Sequence, residues 1–131
     1  RIVTKEKESE KKLIESEKRY RRIFEDSQDV IFVSSTEGRF LDLNPAGLKL
    51  FGYSSLAEIQ KIDIAKELYM NPSDRLEYIK KIQADGFVKD YEIHVKKKDG
   101  SEIIVLETAT AIYDQNNNII ACRGIMRDIT E

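Results

Sequence analysis

Glu107 is the residue of this sequence whose surroundings most strongly indicate a binding site. It alternates along a predicted strand with Ile103, Val105, Ala109 and Ala111, and residues two apart in a strand share one face. If that face looks inward, a carboxylate points into an apolar interior. Burying the carboxylate without a partner costs several kcal/mol or raises its pKa, and a polar ligand or a Lys or Arg partner relieves that cost.

The single histidine and the single cysteine offer little further chemistry. His94 alternates with Glu92 and Lys96 on the face opposite Ile93, which predicts a polar residue of the outer face rather than a haem ligand. Cys122 lies in the last predicted strand and is interpreted as a small buried hydrophobe. One cysteine forms neither an internal disulfide nor a multi-cysteine metal site, so we expect no metal site and a reducing compartment.

The sequence contains none of the patterns of the common catalytic sites. It lacks a phosphate-binding loop, the Gly-x-Gly-x-x-Gly dinucleotide fingerprint, the Gly-x-Ser-x-Gly nucleophile turn and the His-Glu-x-x-His metalloprotease motif. One histidine also leaves little general acid–base capacity near neutral pH. We therefore expect no catalytic residues in this chain, and we expect that it is not itself an enzyme.

Length and charge narrow the classes of partner. The 131 residues, with a mass of 15.2 kDa, suit one globular domain. The 22 basic and 24 acidic residues give a net charge of -2, which argues against nucleic acid as a partner. No run reaches the roughly 18 apolar residues of a membrane-spanning helix, and the chain starts at Arg1 without a signal segment. We expect a cytoplasmic fragment of a longer protein, without membrane contact of its own, which another segment could anchor to a membrane.

Residues 1–26 are predicted to form a helix that is separate from a domain of residues 27–131. The segment is highly charged and contains neither Gly nor Pro, and Glu and Lys or Arg recur four residues apart in the helix-favouring order. A sparse heptad seam places apolar residues at its a and d positions, namely Val3, Leu13, Tyr20 and Phe24. The pattern predicts an amphipathic, coiled-coil-like helix that dimerises or carries a signal; the alternative is a solvated helix.

The rest of the chain alternates between strand and short-helix patterns. In chain order the predicted elements are strands 30–34 and 39–43, short helices that begin after Asn44, Ser55 and Asn71, and strands 87–97, 101–113 and 119–129. The helix after Asn71 carries Leu76, Ile79 and Ile82 as its apolar residues. This order predicts an α+β fold, a five-stranded antiparallel sheet with helices on one face.

Several short sequence motifs stand at the boundaries of these elements. They are Asp29-Val30-Ile31, Gly38, Asn44-Pro45-Ala46, Phe51-Gly52-Tyr53-Ser54, Lys98-Asp99-Gly100-Ser101 and Arg127-Asp128-Ile129-Thr130-Glu131. In this order and with this strand pattern, the chain from about residue 20 to its end resembles a PAS sensor domain of a bacterial or archaeal signal-transduction protein, such as a sensor histidine kinase or a diguanylate cyclase. Ser35 and Glu37 stand where PAS sequences often carry Asp, and we interpret them as loop variation.

The resemblance implies a cavity between the helices and the concave sheet face, which in PAS-like domains holds haem, flavin, a chromophore, an organic acid or nothing. Haem needs an axial ligand, usually a His on the longest helix, and residues 72–85 contain none. Photoactive flavin chemistry needs an Asn-Cys-Arg-Phe type motif, which is absent, and the chain has no Trp. We therefore expect neither haem nor photoactive flavin, and the sequence identifies no other cofactor.

The candidate residues for the wall of this cavity are apolar, except for the carboxylate described first. They are Phe32, Phe40, Leu50, Tyr69, Ile79, Ile93, Val105, Glu107 and Met126. Each apolar candidate has an alternative role as an ordinary core residue.

The function that the resemblance implies is a sensory or regulatory module. It would bind a small ligand or a partner and relay the signal to an output domain outside this chain, a histidine kinase of a two-component system or a cyclic-dinucleotide synthase. The relay residues would be Asp128, Ile129 and Thr130, with Asp128 tied to a Lys or Arg and Thr130 capping the next helix. The module would form a homodimer through the N-terminal helix and the outer sheet face, where Ile104 and Leu106 are apolar. The alternative is a ligand-free dimerisation or spacer module.

Overall fold

Five antiparallel strands form one sheet in the computed structural model, which describes the backbone of residues 2–130 and the side chains of residues 7–130. The strands are β1 (Val30–Ser35), β2 (Phe40–Leu43), β3 (Phe87–Lys96), β4 (Glu102–Tyr113) and β5 (Ile119–Asp128). Their spatial order is β2-β1-β5-β4-β3, so the last strand lies in the middle of the sheet. The α+β architecture predicted from the sequence is confirmed.

Four α-helices and one π-helical turn accompany the sheet within residues 2–130. They are α1 (Ile2–Asp26), α2 (Pro45–Phe51), α3 (Leu56–Ile59), the π-helical turn (Ile64–Leu68) and α4 (Ser73–Asp85). The π-helical turn closes with a hydrogen bond of 3.0 Å from the Tyr69 N–H to the Ile64 carbonyl. Because it is a single turn, it offers no periodicity from which the sequence could predict its position.

The inward face of α4 differs from the predicted one. Leu76 is 66% exposed, and the buried side chains of the helix are Arg75, Tyr78 and Ile82. These buried residues are spaced three and four apart, which is the spacing of one helix face. The helix is therefore rotated relative to the predicted orientation, so that Arg75 faces inward and Leu76 faces the solvent.

The alternation of β3 is interrupted near its start. The register with β4 shifts between Val88 and Tyr91, where Asp90 has a φ of 50° and its N–H donates to the Thr108 hydroxyl at 3.1 Å. A β-bulge of this kind changes which residues face inward. Val88 and Ile93 are therefore both buried, although they are an odd number of residues apart.

Among the described side chains of α1, the buried one is Phe24, near the C-terminal end of the helix. Leu13, Tyr20 and Ile23 are 62%, 56% and 60% exposed, whereas Phe24 is buried and its ring stacks on Tyr20 with 5.9 Å between centroids. Phe24 thus attaches the helix to the domain and does not belong to an exposed heptad seam. Leu13 and Tyr20 lie on the open part of the helix, and the side chain of Val3 lies outside the described residues.

Asn44 joins the end of α1 to the start of the domain. The buried side-chain oxygen accepts hydrogen bonds from the N–H groups of Ile31 and Gly47 at 3.0 and 3.1 Å. The amide nitrogen donates to the carbonyls of Phe24 and Asp29 at 3.0 and 2.9 Å. These bonds use the full capacity of an Asn amide. One residue therefore ties α1, the segment before β1, β1 itself and the first turn of α2.

We expect Asn44→Ala to lower the free energy of unfolding by about 2 to 4 kcal/mol, because it removes a helix cap and leaves buried backbone groups without partners. Asn44→Asp keeps the cap but presents oxygens to the Phe24 and Asp29 carbonyls, and it should also be destabilised. Urea unfolding at neutral pH measures both losses. The matched control is Asn116→Ala in an exposed turn, with an expected change under about 0.5 kcal/mol. Equal stabilities of Asn44→Ala and the control would contradict the assigned role.

Candidate ligand cavity

A small cavity lies between the inner face of the sheet and the helices. Its wall is formed by Phe32, Ser34, Phe40, Ile64, Leu68, Tyr69, Arg75, Ile93, Val95, Val105, Glu107 and Met126. Its volume is about 10 Å³, roughly the room that one water molecule needs. The interior is therefore closely packed, and the space that it contains adjoins polar as well as apolar side chains.

Most of the predicted wall residues lie on this cavity. Those that do are Phe32, Phe40, Tyr69, Ile93, Val105, Glu107 and Met126. Leu50 instead lines an open groove beside the end of β5, together with Lys49 and Asp128. Ile79 is a partly buried residue that packs against the core, and it is not among the wall residues. Leu50 and Ile79 therefore lie outside the wall of this cavity.

Glu107 points into the cavity, as the alternation of β4 predicts. It is 3% exposed, and its Oε2 atom has no hydrogen-bond partner among the described residues. Burial raises the pKa of Glu107 from 4.5 to about 7, while the nearby Tyr78 hydroxyl and Arg75 guanidinium limit the rise. The carboxyl group therefore changes its charge near neutral pH inside the domain.

Arg75 is the positive group that faces this carboxyl group. It is 8% exposed, and its guanidinium lies over the rings of Tyr78 and Tyr69, 5.0 and 5.9 Å from their centroids. One guanidinium nitrogen donates to the Ser35 carbonyl at 3.4 Å, whereas Nε has no partner within the described part of the chain. The ion pairs of residues 7–130 do not include Arg75 with Glu107. The two buried charges thus face each other without direct contact.

Two hydroxyl groups complete the polar surroundings. Ser34 Oγ on β1 and Tyr78 Oη on α4 are fully buried, and neither has a hydrogen-bond partner of good geometry among the described residues. We call Ser34, Arg75, Tyr78 and Glu107 the polar cluster. Unsatisfied buried polar groups are rare and costly in folded proteins, and here several meet in one place. The chemistry that this arrangement favours is binding, because the Ser34 hydroxyl, the Arg75 guanidinium and the Glu107 carboxyl group line the same cavity.

The polar cluster was only partly predictable from sequence. Ser34 follows Phe32 by two residues in a strand, and this spacing indicates an inward hydroxyl. Arg75 and Tyr78 share a helix face with Ile82, but the more apolar Leu76 and Ile79 compete as the inward set. The helical spacing of Arg75 with Tyr78 and Ile82 was compatible with an inward Arg75, but the apolar character of Leu76 made Leu76 the predicted inward residue.

A second depression lies on the outer sheet face beside α1. It has a volume of about 340 Å³, and Tyr20 of α1 lines it together with Ile31, Val33, Thr108 and Ile125 of the strands. Ile125 is 44% exposed. The outer sheet face therefore carries an apolar depression beside the C-terminal part of α1, formed by other residues than Ile104 and Leu106, from which the sequence predicted an apolar outer face.

The predicted relay residues lie at the end of β5 with different partners from those expected. Asp128 accepts a hydrogen bond from the Thr130 N–H at 2.9 Å, and no ion pair of residues 7–130 includes it. The Thr130 hydroxyl accepts from the Ile104 N–H at 2.7 Å, and the Ile129 N–H donates to the Ile104 carbonyl at 2.9 Å. Ile129 and Thr130, which we call the exit segment, are thus tied by hydrogen bonds to β4, the strand that carries Glu107.

His94 and Cys122, the single histidine and the single cysteine, lie away from the wall of the cavity. His94 lies on the outer face between Glu102 and Glu92, at 3.0 and 3.2 Å, and both carboxylates raise its pKa. Cys122 is a buried free thiol whose pKa is raised by burial. No group of three His, Cys, Asp or Glu side chains within the described residues is arranged to hold a metal ion. No described helix has the length and apolar character needed to span a bilayer.

Comparison with known proteins identifies a family. Residues 28–131 match the family model described as PAS domain. The PAS domain of a protein from Colwellia psychrerythraea is 26% identical, with a TM-score of 0.73 over 86% of this chain and 96% of that chain. The PAS domain of an HTR-like protein from Haloarcula marismortui is 25% identical, with a TM-score of 0.70 over 94% and 99% of the two chains.

A further solved structure is a domain of the sensory box sensor histidine kinase/response regulator from Geobacter sulfurreducens. It is 25% identical to this chain, with a TM-score of 0.71 over 88% of this chain and 96% of that chain. Among curated protein sequences, none matches the chain.

We expect the stability of the wild-type protein to fall relative to Glu107→Gln as the pH rises. Below pH 4.5 the carboxyl group is protonated in the folded and the unfolded chain, whereas above about pH 7 the folded chain must bury a carboxylate that the unfolded chain exposes to water. The stability difference should therefore change by about 3 kcal/mol in favour of Gln across this interval.

Urea unfolding from pH 4 to pH 8 measures this difference. The matched control is Glu77→Gln on the exposed face of α4, which should follow the pH dependence of the wild type. Parallel curves for the wild type and Glu107→Gln would show that Glu107 does not titrate differently in the folded protein.

Proposed function

The chain belongs to the PAS domain family, whose members are sensory domains of signal-transduction proteins, and on this premise we propose that it senses a small polar ligand in its cavity. The observation that carries the proposal is the polar cluster. Ser34, Arg75 and Glu107 line one cavity, and Tyr78 lies beside Arg75 and Glu107. A ligand with complementary groups would satisfy the buried polar atoms that lack partners there. A domain that needed only a stable core would gain from apolar residues at these positions.

The signal would leave through the two central strands. Glu107 pairs with Met126 in the ladder between β4 and β5, and both residues line the cavity. Met126 precedes Asp128 by two residues, and the exit segment is bonded to Ile104 of β4. A ligand that binds one arrangement of these strands better than another shifts the population toward it, and the exit segment moves with them.

The output would come from another domain of a longer protein. The structural neighbour from Geobacter sulfurreducens is a domain of a sensor histidine kinase/response regulator, which supports a histidine kinase as the output; a cyclic-dinucleotide synthase is the other candidate. The proposed module has no catalytic residues of its own and acts in the cytoplasm. It has neither nucleic acid nor membrane lipid as a partner.

Native mass spectrometry of the purified chain tests for a ligand. We expect a small molecule that is retained under native conditions and lost on denaturation, with no haem or flavin absorbance. Glu107→Met replaces the carboxyl group with an apolar side chain of similar size, and it should lose the molecule while remaining folded. Glu77→Met on the exposed face of α4 is the matched control and should retain it. A clean apo spectrum for the wild type would favour the ligand-free alternative, and a Soret band would refute the cofactor prediction.

The second candidate function is a dimerisation or spacer module. Two observations favour it: the cavity is small, and apolar side chains are exposed both on α1 and on the outer sheet face. They include Leu13, Ile14, Tyr20, Ile23 and Ile125. Apolar patches of this kind on a soluble domain mark sites of association. The two functions are compatible, because a dimer would carry the ligand response to its output domains.

We expect the chain to dimerise through α1 and the outer sheet face, and Ile125→Ser should weaken the dimer at least about tenfold, since interface cores lose most from polar truncation. Sedimentation equilibrium measures the dissociation constant. Leu76→Ser is the matched control, because Leu76 is equally apolar and is exposed on α4. Equal effects of the two substitutions, or a monomeric wild type at high concentration, would refute this interface.

A further inference from the structure

A groove with five lysines in its wall lies between the β3–β4 hairpin and the segment of α3 and the π-helical turn, and we call it the lysine groove. The lysines are Lys61, Lys66, Lys96, Lys97 and Lys98. The groove has a volume of about 560 Å³. Its described wall residues all differ from those of the cavity that Glu107 lines, so it is a separate site.

The two sides of the lysine groove are joined through the backbone. The Lys98 N–H donates to the Phe51 carbonyl at 2.8 Å, which fixes the hairpin to the end of α2. Tyr69, whose N–H closes the π-helical turn, forms a β-bridge with Val95 of β3. One hydrogen-bonded framework therefore carries the lysines of both sides and presents them together.

The positive charge of the lysine groove exceeds that of its own carboxylates. Two glutamates of the wall, Glu58 and Glu67, leave it with a net charge of +3, although the whole chain has a net charge of -2. Glu58 bonds Lys98 and the Ser54 N–H, and Glu67 accepts from the Asp63 N–H. None of the other four lysines takes part in an ion pair with a side chain of residues 7–130. Like charges in a concave site repel one another, and a bound anion removes that repulsion.

The type of cation indicates the type of anion. Among the described wall residues, the basic side chains are all lysines. Lysine binds phosphate as a point charge, without the planar pair of hydrogen bonds with which arginine recognises a carboxylate. Several lysines also call for several negative charges close together, and linked phosphoryl groups supply them.

The size of the lysine groove indicates a small molecule. Its volume lies within the range of about 300 to 1,000 Å³ that is typical of small-molecule sites. The wall also contains the half-buried ring of Tyr53, 5.9 Å from Lys98 Nζ, and the buried side chain of Ile62. Aromatic rings are the surfaces on which proteins stack nucleobases. The groove thus has room beside the phosphates for a base.

We propose that the lysine groove binds a small polyphosphate, an anion of two or more linked phosphoryl groups, either free or as part of a nucleotide. Lys61 and Lys66 lie on one side of it, and Lys96 and Lys97 on the other. The inference goes beyond the proposed sensing of a polar ligand in the cavity, because the two sites have different walls.

Isothermal titration calorimetry at low ionic strength tests the proposal with defined probes. They are the sodium salts of triphosphate, ATP, phosphate and tetraglutamate, all without divalent cations. We expect triphosphate and ATP to bind saturably, and phosphate and tetraglutamate to bind at least about tenfold more weakly. Binding of ATP that is tighter than that of triphosphate supports a nucleotide as the source of the phosphates, and equal binding supports an inorganic polyphosphate. Tetraglutamate that binds as tightly as triphosphate would overturn the phosphate class in favour of an acidic peptide.

A pair of double variants locates the site. Lys66→Gln with Lys96→Gln removes one cation from each side of the lysine groove and should weaken triphosphate binding at least about tenfold. Lys80→Gln with Lys89→Gln removes the same charge at exposed positions outside the groove and should change the affinity less than about threefold. Equal losses in the two double variants would mean that the anion follows net charge alone, and the assigned site would be wrong.

Glu58→Gln tests the proposal through a gain, which a damaged fold cannot produce. It removes a negative charge from the wall and releases Lys98, so triphosphate should bind at least about threefold more tightly. Glu77→Gln on the exposed face of α4 is the matched control and should leave the affinity unchanged. Weaker binding by Glu58→Gln than by the wild type would count against the groove. A wild type that binds neither triphosphate nor ATP would refute the polyphosphate site and leave the proposed sensing in the cavity unaffected.

Discussion

The alternation of β4 is the constraint on which both faces of the sheet depend. Because side chains in a strand point to opposite faces with a period of two, Val105 and Glu107 share the interior, and Leu106 and Thr108 share the outer face. A slip of one residue would exchange these sets. β4 pairs with both β3 and β5, so its register also decides that Met126 lies opposite Glu107. The polarity of the cavity and the apolar character of the outer face are two results of one register.

The interior of the domain separates its buried charges instead of pairing them. A direct ion pair between Arg75 and Glu107 would satisfy both groups and leave little for a ligand to do. Here the guanidinium is held over the rings of Tyr69 and Tyr78, and the carboxyl group remains across the cavity. The cost of this arrangement falls on the ligand-free domain, and a molecule placed between the two groups reduces it. A ligand of the kind proposed above would therefore draw its affinity from groups that the fold leaves incompletely satisfied.

The parts of the fold that local signals determine could be predicted from sequence, and the parts that packing determines could not. The inward direction of Glu107 follows from alternation, and the role of Asn44 as a helix cap follows from residue type and position. The choice between Arg75 and Leu76 as the inward residue of α4 depends on how the helix rotates against the sheet, which no periodicity specifies. The burial of Phe24 is a tertiary contact, made where its backbone carbonyl also accepts a hydrogen bond from Asn44, whereas the heptad pattern alone placed Phe24 on the seam of α1.

The central position of β5 has a mechanical consequence. Val30, where the chain enters β1, pairs with Met126 near the end of β5, so the start of β1 and the end of β5 lie side by side at one end of these two neighbouring strands. Tension between the two ends would act on this first pair and open the ladder one bond after another, as in unzipping, instead of loading all its bonds in shear. Met126 also lines the cavity, so the first bonds to yield under such a force are those beside the cavity wall.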